Sequence, residues 1–194
     1  SKYLPEFRKE GAPEITILQL LTHVSGLPAY TSADKLASTY GPRPNPDGLI
    51  QGIAALELKA KPGEKYIYSC LNYLTLARIA QVVAGENMDT YLRRRLWEPL
   101  GMKDTTFFPT EEQRARTAPT IYSKTSEVIR RGDVHDPLAY YSACPAYAPG
   151  NAGVFSTVDD MSRYCRMMLN GGELDGARIY TPETWALATT NQAP

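Results

Sequence analysis

The sequence predicts a mainly α chain with a little β. Apolar residues recur at three- and four-residue spacing in several runs, and several of those runs open on a threonine able to cap a helix and close on glycine or proline. The long stretch from Thr110 to Pro149 lacks that periodicity. Its short Tyr-rich and Val/Ile pieces suit strands or an extended loop. With 194 residues, 43% of them hydrophobic, the chain has apolar material for a sizeable core, so a single domain over 1–194 is the expectation.

Thr16 is placed to cap a short helix through Leu18, Leu20 and Leu21, which ends before the turn Ser25-Gly26-Leu27-Pro28. From Tyr40 to Gly48 three prolines fix φ and remove donors, so this segment reads as loop. Leu49, Ile50, Ile53 and Leu56 then return to helical spacing. Leu71, Leu74, Ala77, Val82 and Val83 outline a further helix that Gly85 closes as its left-handed terminator. Another runs from about Asp89 through Tyr91, Leu92, Leu96 and Trp97 to Pro99. Thr157 and Asp160 suggest a variant capping box for a helix bearing Met161, Tyr164, Met168 and Leu169, which Gly171-Gly172 ends. Thr181 before Pro182 starts the last helix, with proline in the first turn where its missing N–H costs nothing.

Twenty-one basic and twenty-one acidic residues cancel, so nothing favours a nucleic-acid backbone or an anionic membrane surface. The basic run Arg93-Arg94-Arg95 lies in a helical pattern and reads as a solvated face. Three cysteines, Cys70, Cys144 and Cys165, form neither a disulfide framework nor a Cys-x-x-Cys site. With only His23 and His135 beside them, no metal and no cofactor is expected. No run of eighteen apolar residues marks a transmembrane segment.

The most informative stretch is Pro62-Gly63-Glu64-Lys65-Tyr66-Ile67-Tyr68-Ser69-Cys70-Leu71-Asn72-Tyr73, a turn leading directly into an apolar-periodic helix. It is similar to the active-site Tyr-x-Asn segment of the serine β-lactamase and penicillin-binding-protein superfamily, in the branch of class C β-lactamases, D-alanyl-D-alanine carboxypeptidases and esterases. Tyr68 holds the tyrosine position and Cys70 stands in place of the asparagine. Four further segments resemble the same family in the same order: Tyr3-Leu4-Pro5-Glu6-Phe7; Ile17 to Pro28, containing Leu21-Thr22-His23-Val24-Ser25-Gly26; Pro99-Leu100-Gly101-Met102 with Thr105-Thr106-Phe107; and Gly153 to Met161 with Leu169-Asn170-Gly171-Gly172. Asp133-Val134-His135-Asp136-Pro137 resembles the carboxypeptidase-like branch. Where the family has Gly-His-Ala-Gly, this chain reads Gly150-Asn151-Ala152-Gly153.

The resemblance implies the helical domain of the α+β serine β-lactamase/transpeptidase-like fold, and acyl transfer through a serine in a Ser-x-x-Lys motif. It implies Tyr68 as the catalytic proton shuttle, with Cys70, His135 and Asp136 on the substrate side. It also implies a small-molecule or peptidoglycan-peptide substrate, the remaining segments of the fold as partners, and a bacterial periplasmic, secreted or cell-envelope setting. A phenol, with an ordinary pKa near 10, is a poor base at neutral pH unless cations adjoin it. In the family those are the Ser-x-x-Lys lysine and a Lys or His of a later Lys/His-x-Gly motif.

Neither partner motif is found at its family position. The one Ser-x-x-Lys, Ser32-Ala33-Asp34-Lys35, follows the Leu-Leu-Thr-His segment that the family's nucleophile precedes, and so reads as a chance match. The formal Lys-x-Gly matches at Lys9 and Lys61 come far too early, and no lysine follows Lys124. The chain therefore reads as the central part of a serine hydrolase, inactive alone. The alternative is a non-catalytic module of the same fold that holds a peptidoglycan or acyl ligand.

Bland readings stand beside these. Tyr68 suits a half-buried aromatic at a helix start, Cys70 a small packed hydrophobe, and His23 a loop histidine bonded to backbone rather than a base. His135 and Asp136 either orient one another or fix a turn before Pro137.

Overall fold

The computed structural model describes residues 2–8, 10–11, 13–122 and 129–192. In chain order it contains a 3-10 turn at Pro5–Phe7, then α1 (Ile17–Leu21), α2 (Ala33–Tyr40), α3 (Pro46–Ala55), α4 (Cys70–Ala84) and α5 (Met88–Leu92), which runs into a π-helical turn at Arg93–Trp97. After these come α6 (Glu111–Arg116), β1 (Pro119–Tyr122), β2 (Ile129–Arg131), α7 (Pro137–Ser142), α8 (Val158–Leu169), β3 (Glu173–Leu174), β4 (Ala177–Arg178) and α9 (Pro182–Thr189). Among the described residues the only sheets are two antiparallel pairs, β1 with β2 and β3 with β4, so the mainly α expectation holds.

The chain forms two compact units. The first comprises the described residues up to 88 together with 133–153, and the second those of 89–132 and 154–192. In the first unit α4 supplies Leu71, Leu74 and Ala77 from one face. They bury against Leu49 and Ile53 of α3, Leu36 of α2, and Leu138 and Tyr141 of α7. Each fully buried leucine or isoleucine contributes roughly 1.5–3 kcal/mol relative to exposure. Tyr147 is wholly buried in the same core and donates its hydroxyl to the Leu74 carbonyl at 2.8 Å. Desolvation pushes its phenol far above the ordinary range, so it serves as a hydrogen-bonded packing residue.

In the second unit the buried Asp160 of α8 ties a turn together, accepting from the Lys103 and Asp104 amides at 3.2 and 2.8 Å and from the Thr105 hydroxyl at 2.7 Å. This explains why the capping box foreseen at Thr157 is only half made. Thr157 accepts from the Asp160 amide, but the Asp160 side chain is spent on the turn instead of reaching back.

The predicted helix starts at Thr16 and Thr181 and the stop at Gly85 (φ 71°) are observed. The Thr16 cap is a complete box with Gln19. Three helices lie where the sequence was read as loop or undecided. α2 packs Leu36 into the core with only the small Ala33 and Ala37 and the partly buried Tyr40 beside it, a weak stripe, and α6 buries no residue at all. The third, α7, has six residues, too few to display a period. The loop after Tyr40 is shorter than expected because Asn45 caps α3 and Pro46 occupies its first turn. Val82 and Val83 are exposed, so the core face of α4 ends near Ile79.

Candidate functional site

The loop after α1 and the segment leading into α4 are knitted together by backbone hydrogen bonds. Lys59 N–H donates to Gly26 O at 2.7 Å, Gly63 N–H to Val24 O at 2.7 Å, and Ile67 N–H to His23 O at 2.8 Å. Cys70 N–H then donates to Ala29 O at 3.1 Å. Gly26 is obligatory in this arrangement. Its φ is +80°, and a Cβ there would lie 2.1 Å from the Ala60 carbonyl oxygen. The pairing places the Leu21-Thr22-His23-Val24-Ser25-Gly26 segment directly beside the Tyr68 segment.

Tyr68 sits one residue before Ser69, which caps the fifteen-residue α4. The Ser69 hydroxyl is fully committed, accepting from Leu71 N–H at 3.2 Å and donating to Pro28 O at 2.6 Å. Tyr68 itself is 65% exposed, which removes the half-buried packing reading: its ring is presented to solvent on a fixed main chain. Its stacking partner is His23, with ring centroids 4.6 Å apart and planes tilted by 36°. Tyr66 and Tyr73 adjoin His23 at 6.0 and 5.2 Å. Beneath this aromatic group the positive end of the α4 dipole favours negative charge developing nearby.

His23 is the residue that organises the site. Its Nδ1 lies 3.1 Å from the Ser69 backbone nitrogen, which can only donate, so Nδ1 is the unprotonated acceptor and the proton resides on Nε2. The Asn72 amide nitrogen, also 3.1 Å away, donates to the same atom. Asn72 in turn accepts from the Ser25 hydroxyl at 2.6 Å, and Ser25 Oγ accepts from Leu27 N–H at 3.1 Å. Every donor in this relay points toward Nδ1. Burial lowers the His23 pKa from its ordinary value, which agrees with a neutral ring. The loop histidine bonded to backbone is thus what the structure contains, and its backbone is left-handed at φ 59°.

Asn72 is completely buried and faces inward to Ser25 and His23, so it does not stand in for the missing motif asparagine. Cys70 is half-buried in the first turn of α4. Asp136 caps α7, accepting from Ala139 N–H at 2.8 Å, which favours the turn-fixing alternative for its carboxylate, while His135 is exposed just before it. Partial burial raises the Tyr30 phenol's pKa, and Asp136, Cys70 and Asp34 raise it further. Ser32 is the N-cap of α2: it is exposed and accepts from Lys35 N–H at 3.3 Å, so its spacing to Lys35 is that of a helix cap. Of the two formal Lys-x-Gly matches, Lys61 is exposed and Lys9 lies outside the described residues. At Gly150, a Cβ would lie 2.2 Å from the Tyr73 carbonyl oxygen, so this glycine allows a close approach to α4.

The sequence did not reveal the partnership of His23 with Ser69 and Asn72. Its only signal was that a histidine followed by Val-Ser-Gly accompanies a Tyr-Ser pair before a helix, and contacts between such distant segments have no local signature.

The family model described as Beta-lactamase matches residues 1–194. A protein of Salmonella schwarzengrund named as a candidate D-alanyl-D-alanine carboxypeptidase is 29% identical over 213 residues, covering 97% of this chain and 48% of that protein. The beta-lactamase/D-alanine carboxypeptidase of Yersinia pestis superposes with a TM-score of 0.61 at 28% identity, over 91% of this chain and 48% of that one. FmtA from Staphylococcus aureus gives 0.68 at 22% identity over 96% and 46%, a likeness of fold. The chain spans about half the length of the curated relatives it matches. Among the described residues no helix is long and apolar enough to cross a membrane. With a family match over residues 1–194, the chain belongs to the Beta-lactamase family and is a mostly helical part of that fold.

Proposed function

We propose that this chain contributes Tyr68 as the proton-transferring residue of a serine hydrolase that works through an acyl-serine, with β-lactams, D-Ala-D-Ala peptides or esters as substrates. The observation that carries this is the exposed Tyr68 phenol, held on a bonded main chain immediately before the N-terminus of α4. In such a reaction the serine hydroxyl loses its proton as it attacks the carbonyl, and a phenol–phenolate pair relays that proton to the leaving group. Relay at neutral pH needs adjoining cations, and the family supplies them from its Ser-x-x-Lys and Lys/His-x-Gly motifs. Neither motif stands at its family position in this chain, and Ser32 is a helix cap, so the 194 residues alone are proposed to be inactive. Cys70, His135 and Asp136 are proposed to border the substrate. The bacterial relatives support an envelope setting.

Tyr68→Phe in the longer protein tests the central statement. Turnover is expected to fall roughly 10²–10⁴-fold, the usual worth of a positioned acid–base group, with the fold intact. Turnover at the unsubstituted rate would overturn it. The rival is a non-catalytic module that holds an acyl or peptidoglycan ligand. Cys70 favours it, since a thiol cannot supply the paired donor and acceptor of the motif amide. It predicts ligand binding without turnover in the longer protein too.

A further inference from the structure

We propose that His23 is the positioning residue for Tyr68, acting as a neutral clamp whose Nδ1 must remain an acceptor. The inference rests on reading Tyr68 as the proton-transferring residue, and it assigns to His23 a role distinct from acid or base. The peptide N–H groups on either side of Tyr68 both terminate on His23: Ile67 N–H on its carbonyl at 2.8 Å, and Ser69 N–H on its Nδ1 at 3.1 Å. The imidazole then closes over the Tyr68 ring at 4.6 Å. One residue thus fixes the main chain before and after Tyr68 and limits where its ring can lie.

The supporting parts explain why a histidine does this. The carbonyl and the ring both reach the Tyr68 segment because residue 23 is left-handed, at φ 59°, a conformation that histidine and asparagine tolerate better than most side chains. The relay Leu27 N–H to Ser25 Oγ, Ser25 O–H to Asn72 Oδ1 and Asn72 N–H to His23 Nδ1 saturates the acceptor from inside the core. An imidazolium would set a third N–H against two donors, the Ser69 amide and the Asn72 amide nitrogen. The rings of Tyr66, Tyr68 and Tyr73 adjoin the imidazole at 6.0, 4.6 and 5.2 Å. The clamp holds position and does not exchange protons.

The distinguishing variants are His23→Asn and His23→Gln. Asparagine tolerates the left-handed backbone and offers Oδ1 close to where Nδ1 stands, whereas glutamine moves its acceptor one bond further out. Amide hydrogen exchange at Ser69 in the full chain is expected to stay near the unsubstituted rate in His23→Asn and to quicken at least tenfold in His23→Gln. In the longer protein kcat is expected to fall roughly ten- to a hundredfold for His23→Gln, with KM little changed, and to be largely rescued in His23→Asn. Equal Ser69 exchange and equal kcat in all three proteins overturns the clamp, and so does His23→Asn falling as far as His23→Gln. Should His23→Gln not fold, nitrogen NMR of the unsubstituted chain decides: Nδ1 unprotonated with Nε2 carrying the proton supports the clamp, and a proton on Nδ1 overturns it. The NMR and exchange results judge the clamp independently of chemistry. Unsubstituted turnover in Tyr68→Phe would sink the Tyr68 reading by itself.

Discussion

The His23 imidazole lies against the Tyr68 phenol with ring centroids 4.6 Å apart, although the two residues belong to different segments of the chain. Their contact is imposed by main-chain pairing and not by the rings. His23 O and Nδ1 receive the N–H groups flanking Tyr68, and a stack at that distance adds only about 0.5–1.5 kcal/mol beyond the area it buries.

Tyr68→Phe in the full chain is therefore expected to leave stability within about 0.5 kcal/mol of the unsubstituted protein, because the hydroxyl is on an exposed side chain. Urea denaturation checks this. A large loss would show the phenol to be a structural anchor.

Stability should depend on pH through His23. Burial holds its folded pKa below the ordinary 6.5, so the unfolded chain takes up a proton that the folded chain resists. The stabilisation from the neutral ring is complete above about pH 6.5 and is lost as pH falls through the folded value. The urea midpoint is expected to drop on acidification across that window. His23→Asn, which does not titrate there, should flatten the profile; parallel profiles would contradict the assignment.

Gly26→Ala should destabilise the first unit by more than about 1 kcal/mol, because the new methyl meets the Ala60 carbonyl and φ is positive. A circular-dichroism melt that matches the unsubstituted chain would show that the 59–70 segment can move aside. Ser25→Ala removes the donor to Asn72 and leaves a buried amide oxygen unpaired, at a cost of about 1–3 kcal/mol.

A fluorescent penicillin is expected to leave no covalent label on the 194-residue chain. Ser32→Ala should instead cost about 0.5–2 kcal/mol as a lost helix cap. Labelling that disappears in Ser32→Ala would make Ser32 a nucleophile and reverse that assignment.

Much of the helical framework was legible from local signals. Thr16, Gly85 and Thr181 mark helix ends by satisfying terminal backbone groups within a few residues, and the Leu71, Leu74, Ala77 face declares the core side of α4. Two helices carry their start signal without an apolar period behind it. Thr110 with Gln113 is a complete capping box, but it precedes the polar run Glu111–Arg116, where no apolar period drew attention to a helix. Asp136 before Pro137 likewise caps and starts α7, although the pair His135-Asp136 is equally compatible, by sequence, with two side chains orienting one another.

By itself the sequence determined the mainly α character, the family likeness and the placing of Tyr68 just before a helix, since each depends on neighbours in the chain. Only the tertiary structure decided that Tyr68 is exposed, that Asn72 turns inward, and that His23 is a neutral acceptor bracketing Tyr68. Those outcomes depend on hydrogen bonds between residues 46 to 49 positions apart, and the closing of such distant contacts leaves no period or spacing in the sequence to read.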